Sequence, residues 1–276
     1  MRTPVRCIAA LGIFALAACT PVRDADYWSS YEDRQLARGN LRVERAPSDI
    51  EYSNEDLIRN FREIMFRREY VRTSRGFVRG RAPRDLSKPG GPIRFSLGEG
   101  VTDADRVLIE DMIDRLRRVT RLEFVESDDE PQLRVEILDK AGREALGHEL
   151  MRLPRWRFAG RHLLKGFPGV VCANYESRSR ETSGEDKSIV LIPAEVSGTL
   201  RRACIEEEIG QAFGPSADYD EARPSIFNDD QEFALLTEHD EWLFRILYDE
   251  RLRNGMTEQV AMPIVRRIIA ELRPEG

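Results

Sequence analysis

The stretch Cys204-Ile205-Glu206-Glu207-Glu208-Ile209-Gly210-Gln211-Ala212-Phe213-Gly214 decides the reading of this chain. It fits a long helix that starts near Ser197 or Thr199, runs to Phe213 and stops at Gly214. Helical positions four apart share a face, so Glu207 and Gln211 point the same way, with Glu208 beside the first. Just upstream, Ile189-Val190-Leu191-Ile192 lies between Ser188 and Pro193 and reads as a buried strand. Further upstream, Ile93, Phe95 and Leu97 alternate with polar residues, as in a half-buried strand. Thr102 then caps a helix with Asp105 behind it and the apolar face Leu108, Ile109, Met112, Ile113, Leu116 and Val119. Leu122 and Phe124 suggest a second strand, and Leu133, Val135 and Ile137 a third. Residues 140–170 read as a short helix near 143–151, then irregular chain with Trp156 and Phe158. Downstream, helices are expected over 235–248 and 258–272, the last with the apolar face Val260, Ile264, Ile268 and Leu272. The fold class is therefore α+β.

Toward the N-terminus, Ser53 caps a helix with Asp56 three residues on, and Leu57, Ile58, Phe61, Ile64 and Met65 form its buried face. Residues 75–91 are rich in Gly, Pro and Arg and read as loop, and 20–52 as a polar tether without a sustained period. The chain begins with Arg2 and Arg6 ahead of a short apolar run, ending Leu16-Ala17-Ala18-Cys19. The run is too short to span a bilayer, which takes about twenty residues, and reads as an export signal. Its end resembles the bacterial lipobox, which implies lipid on Cys19 and removal of the residues before it. Residue 20 is Thr rather than Asp, and by the same resemblance this favours the outer membrane, facing the periplasm. An ordinary cleaved signal with a chance Cys19 is the alternative. The domains are thus 1–19, a lipoprotein signal; 20–52, a tether; 53–90, a helix and basic loop; and 91–276, the main domain.

Of the 276 residues, 41% are hydrophobic, 33% charged and 8% aromatic, as in a folded domain and unlike a polytopic membrane protein. The net charge of −6 argues against nucleic acid as a partner. It hides an asymmetry. Residues 59–94 hold eleven Arg/Lys against three acids, and 204–250 hold fourteen acids against two Arg. The basic stretch reads as a solvated face, or as a contact for an anionic envelope surface. After export, Cys172 and Cys204 remain as an even pair in an oxidising compartment, read as a disulfide, with two buried thiols as the alternative.

The flanks of the Glu-rich helix carry a family resemblance. Glu207-Glu208-x-x-Gln211-x-x-Gly214 is similar to the zinc helix of the metzincin peptidases, H-E-x-x-H-x-x-G-x-x-H, with the His positions replaced and Ala217 at the third ligand. Phe227 stands at the position of the Met-turn. His239 lies in the cap Thr237-x-x-Asp240 and reads as exposed or cap-associated. A closer resemblance is to the bacterial domain-of-unknown-function family 2927. It rests on Cys172, Cys204, Glu207, Glu208, Gln211, Gly214, Ser225, Ile226, Phe227, Leu247, Tyr248, Gly255 and Met256. The resemblance implies a metzincin-like twisted mixed sheet, with a long helix after the first strands, a central helix at the site and C-terminal helices. It implies no reaction.

The replaced ligands disfavour zinc, since Gln is a weak donor. Glu207, Gln211 and Asp218 are weak candidates for a harder cation, and no cofactor is expected. Glu208 is the candidate general base, its pKa raised by repulsion within Glu206–Glu208. Glu207 and Gln211 are candidate substrate-binding residues, or else a polar filling of a vanished metal site. No nucleophile elbow, P-loop or dinucleotide fingerprint occurs. Two functions result. One is a non-catalytic envelope protein that binds a peptide, a protein or a cell-wall ligand. The other is a hydrolase of changed chemistry using Glu208.

Overall fold

The computed structural model describes residues 23–73, 76–166, 170–177, 187–228 and 230–274. It is an α+β fold built on a five-stranded mixed sheet in the order β4-β3-β5-β7-β6. These strands are β3 (Ile93–Leu97), β4 (Phe124–Glu126), β5 (Leu133–Leu138), β6 (Ala173–Ser177) and β7 (Lys187–Pro193). Four run parallel, and β6 closes one edge antiparallel to β7, with Tyr175 opposite Ile189. The sheet does not by itself mark the fold as metzincin-like.

Helix α2 (Asn54–Met65) and helix α3 (Asp103–Thr120) begin with the capping boxes expected at Ser53/Asp56 and Thr102/Asp105. Their apolar faces, with Phe95, Val135, Val190, Ile205 and Phe244, form the main core. Helices α4 (Lys140–Met151) and α5 (Arg157–Leu164) pack on each other and close a satellite core around Trp156, Leu163, Tyr175 and Leu191. The chain expected to be irregular beyond 151 is therefore partly helical. Helix α6 (Gly198–Gln211) carries the Glu-rich stretch. Helices α7 (Glu238–Leu247) and α8 (Glu258–Leu272) follow, with α8 packed on α2. On α8 the buried residues are Ala261, Val265, Ile268 and Ile269; of the expected face Ile268 is buried and Ile264 packs partly on the core, while Val260 and Leu272 are exposed. No helix among the described residues is long and apolar enough to cross a membrane.

Two segments read as unstructured are ordered. In the expected tether, α1 (Ala25–Ala37) is capped by Asp24 and buries Trp28 against Leu200 and Leu235. Beyond it, Leu41 and Arg42 pair with Gln231 and Glu232, and Arg45 reaches Glu206. In the expected basic loop, β1 (Arg67–Thr73) and β2 (Gly76–Pro83) form an antiparallel hairpin. Arginines of the basic stretch are engaged in ion pairs, Arg59 with Asp56 one turn away and Arg67 with Glu258 at the start of α8.

Gly214 ends the α6 segment at φ 136°, where a Cβ would stand 2.3 Å from Leu247 Cδ2. Its role here is close packing on α7. Gly214→Ala is expected to lower stability by about 2 kcal/mol through overpacking and a strained φ, measured by urea denaturation. An unchanged midpoint would contradict this.

Candidate functional site

Helix α6 packs against β6, β7 and α3, and its three consecutive acids diverge. Glu206 is buried. Arg45 grips its carboxylate with two bonds of 2.7 Å, and the Leu236 N–H donates at 2.8 Å. Glu206 is thus committed to structure, and the expected repulsion within Glu206–Glu208 does not act through it.

Glu207 and Glu208 instead face an open cleft of about 1360 Å³. Gln211 and Asp218 line the same cleft, and Gln211 Nε2 donates to Asp218 Oδ1 at 3.4 Å. Glu69 and Tyr70 of β1 and Asn174 and Tyr175 of β6 also line it. The disulfide Cys172–Cys204 fixes the start of β6 to α6, one turn before Glu208. Phe227, at the position that resembles a Met-turn, is fully buried in the core beside Gly210 and Phe244.

Glu208 is only 5% exposed. Burial, then the charges of Asp218 and Glu69, push its carboxyl well above the ordinary value of 4.5, and the Asn174 main-chain N–H opposes the shift. Burial and the Glu208 charge likewise raise the Tyr175 hydroxyl. That hydroxyl lies 2.7 Å from His162 Nδ1. A carboxyl raised in the fold stabilises it fully below pH 4.5, and that contribution is lost as pH rises toward the folded value. Glu208→Gln is therefore expected to raise the melting temperature relative to the wild type, by a margin that grows above pH 4.5. Parallel melting curves across pH would show that Glu208 is not held protonated.

Two walls flank this floor. One is α5 with the turn before it, bearing Arg155, Arg157, Phe158, Arg161, His162 and Lys165. The other is α1, bearing Tyr27, Trp28, Tyr31, Gln35 and Arg38.

Four residues singled out from the sequence, Glu207, Glu208, Gln211 and Asp218, thus meet in one cleft. Among the described residues no group of three or more His, Cys, Asp or Glu is arranged to hold a metal ion. Ala217, at the position of a third ligand, is buried. Of the two expectations for His239, exposed or cap-associated, the second holds: it is fully buried in the first turn after the Thr237 cap. Its Nδ1 lies 3.4 Å from Asp240 and its Nε2 3.0 Å from Asn60. Cys19 lies outside the described residues. Glu69, Tyr70, Asn174 and Tyr175 were not foreseen. They lie far from α6 in sequence, and only strand placement brings them in.

Fold and site together define an α+β domain with an open cleft floored by carboxyls, one of them buried. The chain belongs to the family described as protein of unknown function (DUF2927), whose model matches residues 54–267. No curated protein matches it. The α1 wall precedes the matched residues, whereas the floor and the α5 wall lie within them.

Proposed function

We propose that this protein is a lipid-anchored envelope protein, attached through Cys19 to the outer membrane and facing the periplasm. Its cleft binds an extended peptide, protein segment or cell-wall strand without zinc catalysis. The observation that carries this reading is the open cleft converging on the buried carboxyl of Glu208. A buried ionisable group in a cleft is expensive as structure and useful as a site. Held neutral, Glu208 donates a hydrogen bond to a ligand carbonyl or hydroxyl, with Glu207 and Gln211 beside it.

The test uses full-length protein in neutral detergent, incubated with cell-wall digest and a mixed peptide pool. Retained material is identified by mass spectrometry. Retention by the wild type and loss in the cleft-blocking Ala173→Trp supports binding, and equal retention by both overturns it. About one equivalent of a transition metal, lost on Glu207→Ala, would overturn the zinc-free reading. The mass of the N-terminal fragment, with Cys19→Ser as control, tests the lipid.

One observation favours a second reading, a hydrolase of changed chemistry. Glu208 lies buried in the cleft with Asp218, and burial and the Asp218 charge push its carboxyl upward, the direction that suits a general acid rather than the general base expected from the sequence. Glu208→Gln would then keep ligand capture and abolish turnover.

A further inference from the structure

We propose that the α5 wall of the cleft is a cation row that reads alternate carboxylates of an extended acidic peptide. This rests on the cleft being a ligand site, and it names the ligand class. From Leu150 to Tyr175 the sequence contains no Asp or Glu, yet it holds Arg152, Arg155, Arg157, Arg161 and Lys165. The buried and half-buried ion pairs of the core show the contrast: Arg143 is matched by Glu195, Arg201 by Asp105, Arg45 by Glu206 and Arg115 by Glu241. Arg157, Arg161 and Lys165 are exposed, line the cleft and have no ion-pair partner among the described residues.

Helix stability accounts for only part of the row. Arg161 and Lys165 lie toward the C-terminal end of α5, where the helix dipole favours a cation. Arg157 is the first residue of α5, and no acid occupies that first turn. A cation there opposes the dipole, so its presence calls for another reason.

The spacing selects the ligand. Arg157, Arg161 and Lys165 stand four apart, on one side of the helix, with steps of about 6 Å along its axis. Alternate side chains of an extended peptide share a face at steps of about 6.6 to 6.8 Å. Three carboxylates at every second position therefore match three cations over about 12 to 13 Å. The acids of the floor would repel such side chains, which leaves the neutral peptide groups to face Glu208 and Gln211.

The test is fluorescence anisotropy with full-length protein in neutral detergent at low salt. The probes are labelled peptides of four Ser-Glu repeats, four Ser-Gln repeats, and Ser-Ser-Glu-Glu blocks of equal charge. Polygalacturonate serves as an anionic glycan competitor. The alternating acidic peptide is expected to bind best, to weaken steeply with salt, and to weaken about tenfold or more in R157Q/R161Q/K165Q. Equal affinity for the Ser-Gln peptide, no effect of the triple substitution, or no binding of the acidic peptide overturns the proposal. Equal affinity for the block peptide removes the register, and stronger competition by polygalacturonate per carboxylate removes the peptide class. Ala173→Trp separates the two readings. If it leaves acidic-peptide binding intact while the triple variant abolishes it, the row stands and the cleft reading falls. If it abolishes all binding and the triple variant removes only the acidic preference, both stand.

Discussion

Replacing Cys172 and Cys204 together with alanine is expected to lower unfolding free energy by about 3–4 kcal/mol. The bond joins residues 32 apart in sequence, and opening it restores the entropy of a loop of that size to the unfolded chain. It also ties the edge strand β6 to α6 at the turn before Glu208, so the loss falls on the elements that form the cleft floor. Urea denaturation of the double variant, and of the wild type with and without reductant, measures it. A loss below about 1 kcal/mol would mean that packing of α6 on β6 and β7 already holds the site, independent of the crosslink.

Arg45→Ala is expected to cost about 3 kcal/mol. Glu206 is almost fully buried, and Arg45 supplies its bidentate partner, while Arg202 stands farther off at 3.4 Å. Removing the guanidinium strands a buried carboxylate, and that desolvation cost dominates. It also frees the Leu236 carbonyl, which accepts from Arg45 at 2.8 Å. Adding Glu206→Gln to Arg45→Ala removes the stranded charge and should return part of the loss. If the double variant is no more stable than Arg45→Ala, the destabilisation comes from lost packing of the segment after α1.

The elements that could be read from the sequence are those whose signals are local. The boxes Ser53/Asp56, Thr102/Asp105 and Thr237/Asp240 each place a hydroxyl and a carboxylate three residues apart, and each is formed at the start of a helix. Strand β7 showed itself as a continuous apolar run. Helix α1 did not, because it buries only Trp28 and Gln35 and has no apolar stripe. The β1–β2 hairpin was hidden because its stability comes from cross-strand pairing of Arg-rich, Gly-containing segments, not from an apolar period. Strand β6 owes its place to β7 and to the Cys172 crosslink. The same division runs through the site. Glu207, Glu208, Gln211 and Asp218 fall within one short stretch, so helical spacing and the turn after it suffice to group them. Glu69 and Tyr175 reach Glu208 only through the tertiary fold, and no local pattern announces them.

The position of α1 has a consequence for where the cleft can work. Arg23, two residues before that helix, lines the cleft, and its guanidinium donates to the Val170 carbonyl at 3.2 Å. Only three residues separate it from Cys19, and the four steps of chain between them reach at most about 14 Å however they are arranged. With lipid on Cys19, as proposed, the leash is shorter than the domain it holds. The cleft mouth is then confined to a thin layer above the bilayer, out of range of partners deep in the periplasm. Lengthening the leash ahead of Arg23 would enlarge that territory without altering a single contact in the cleft.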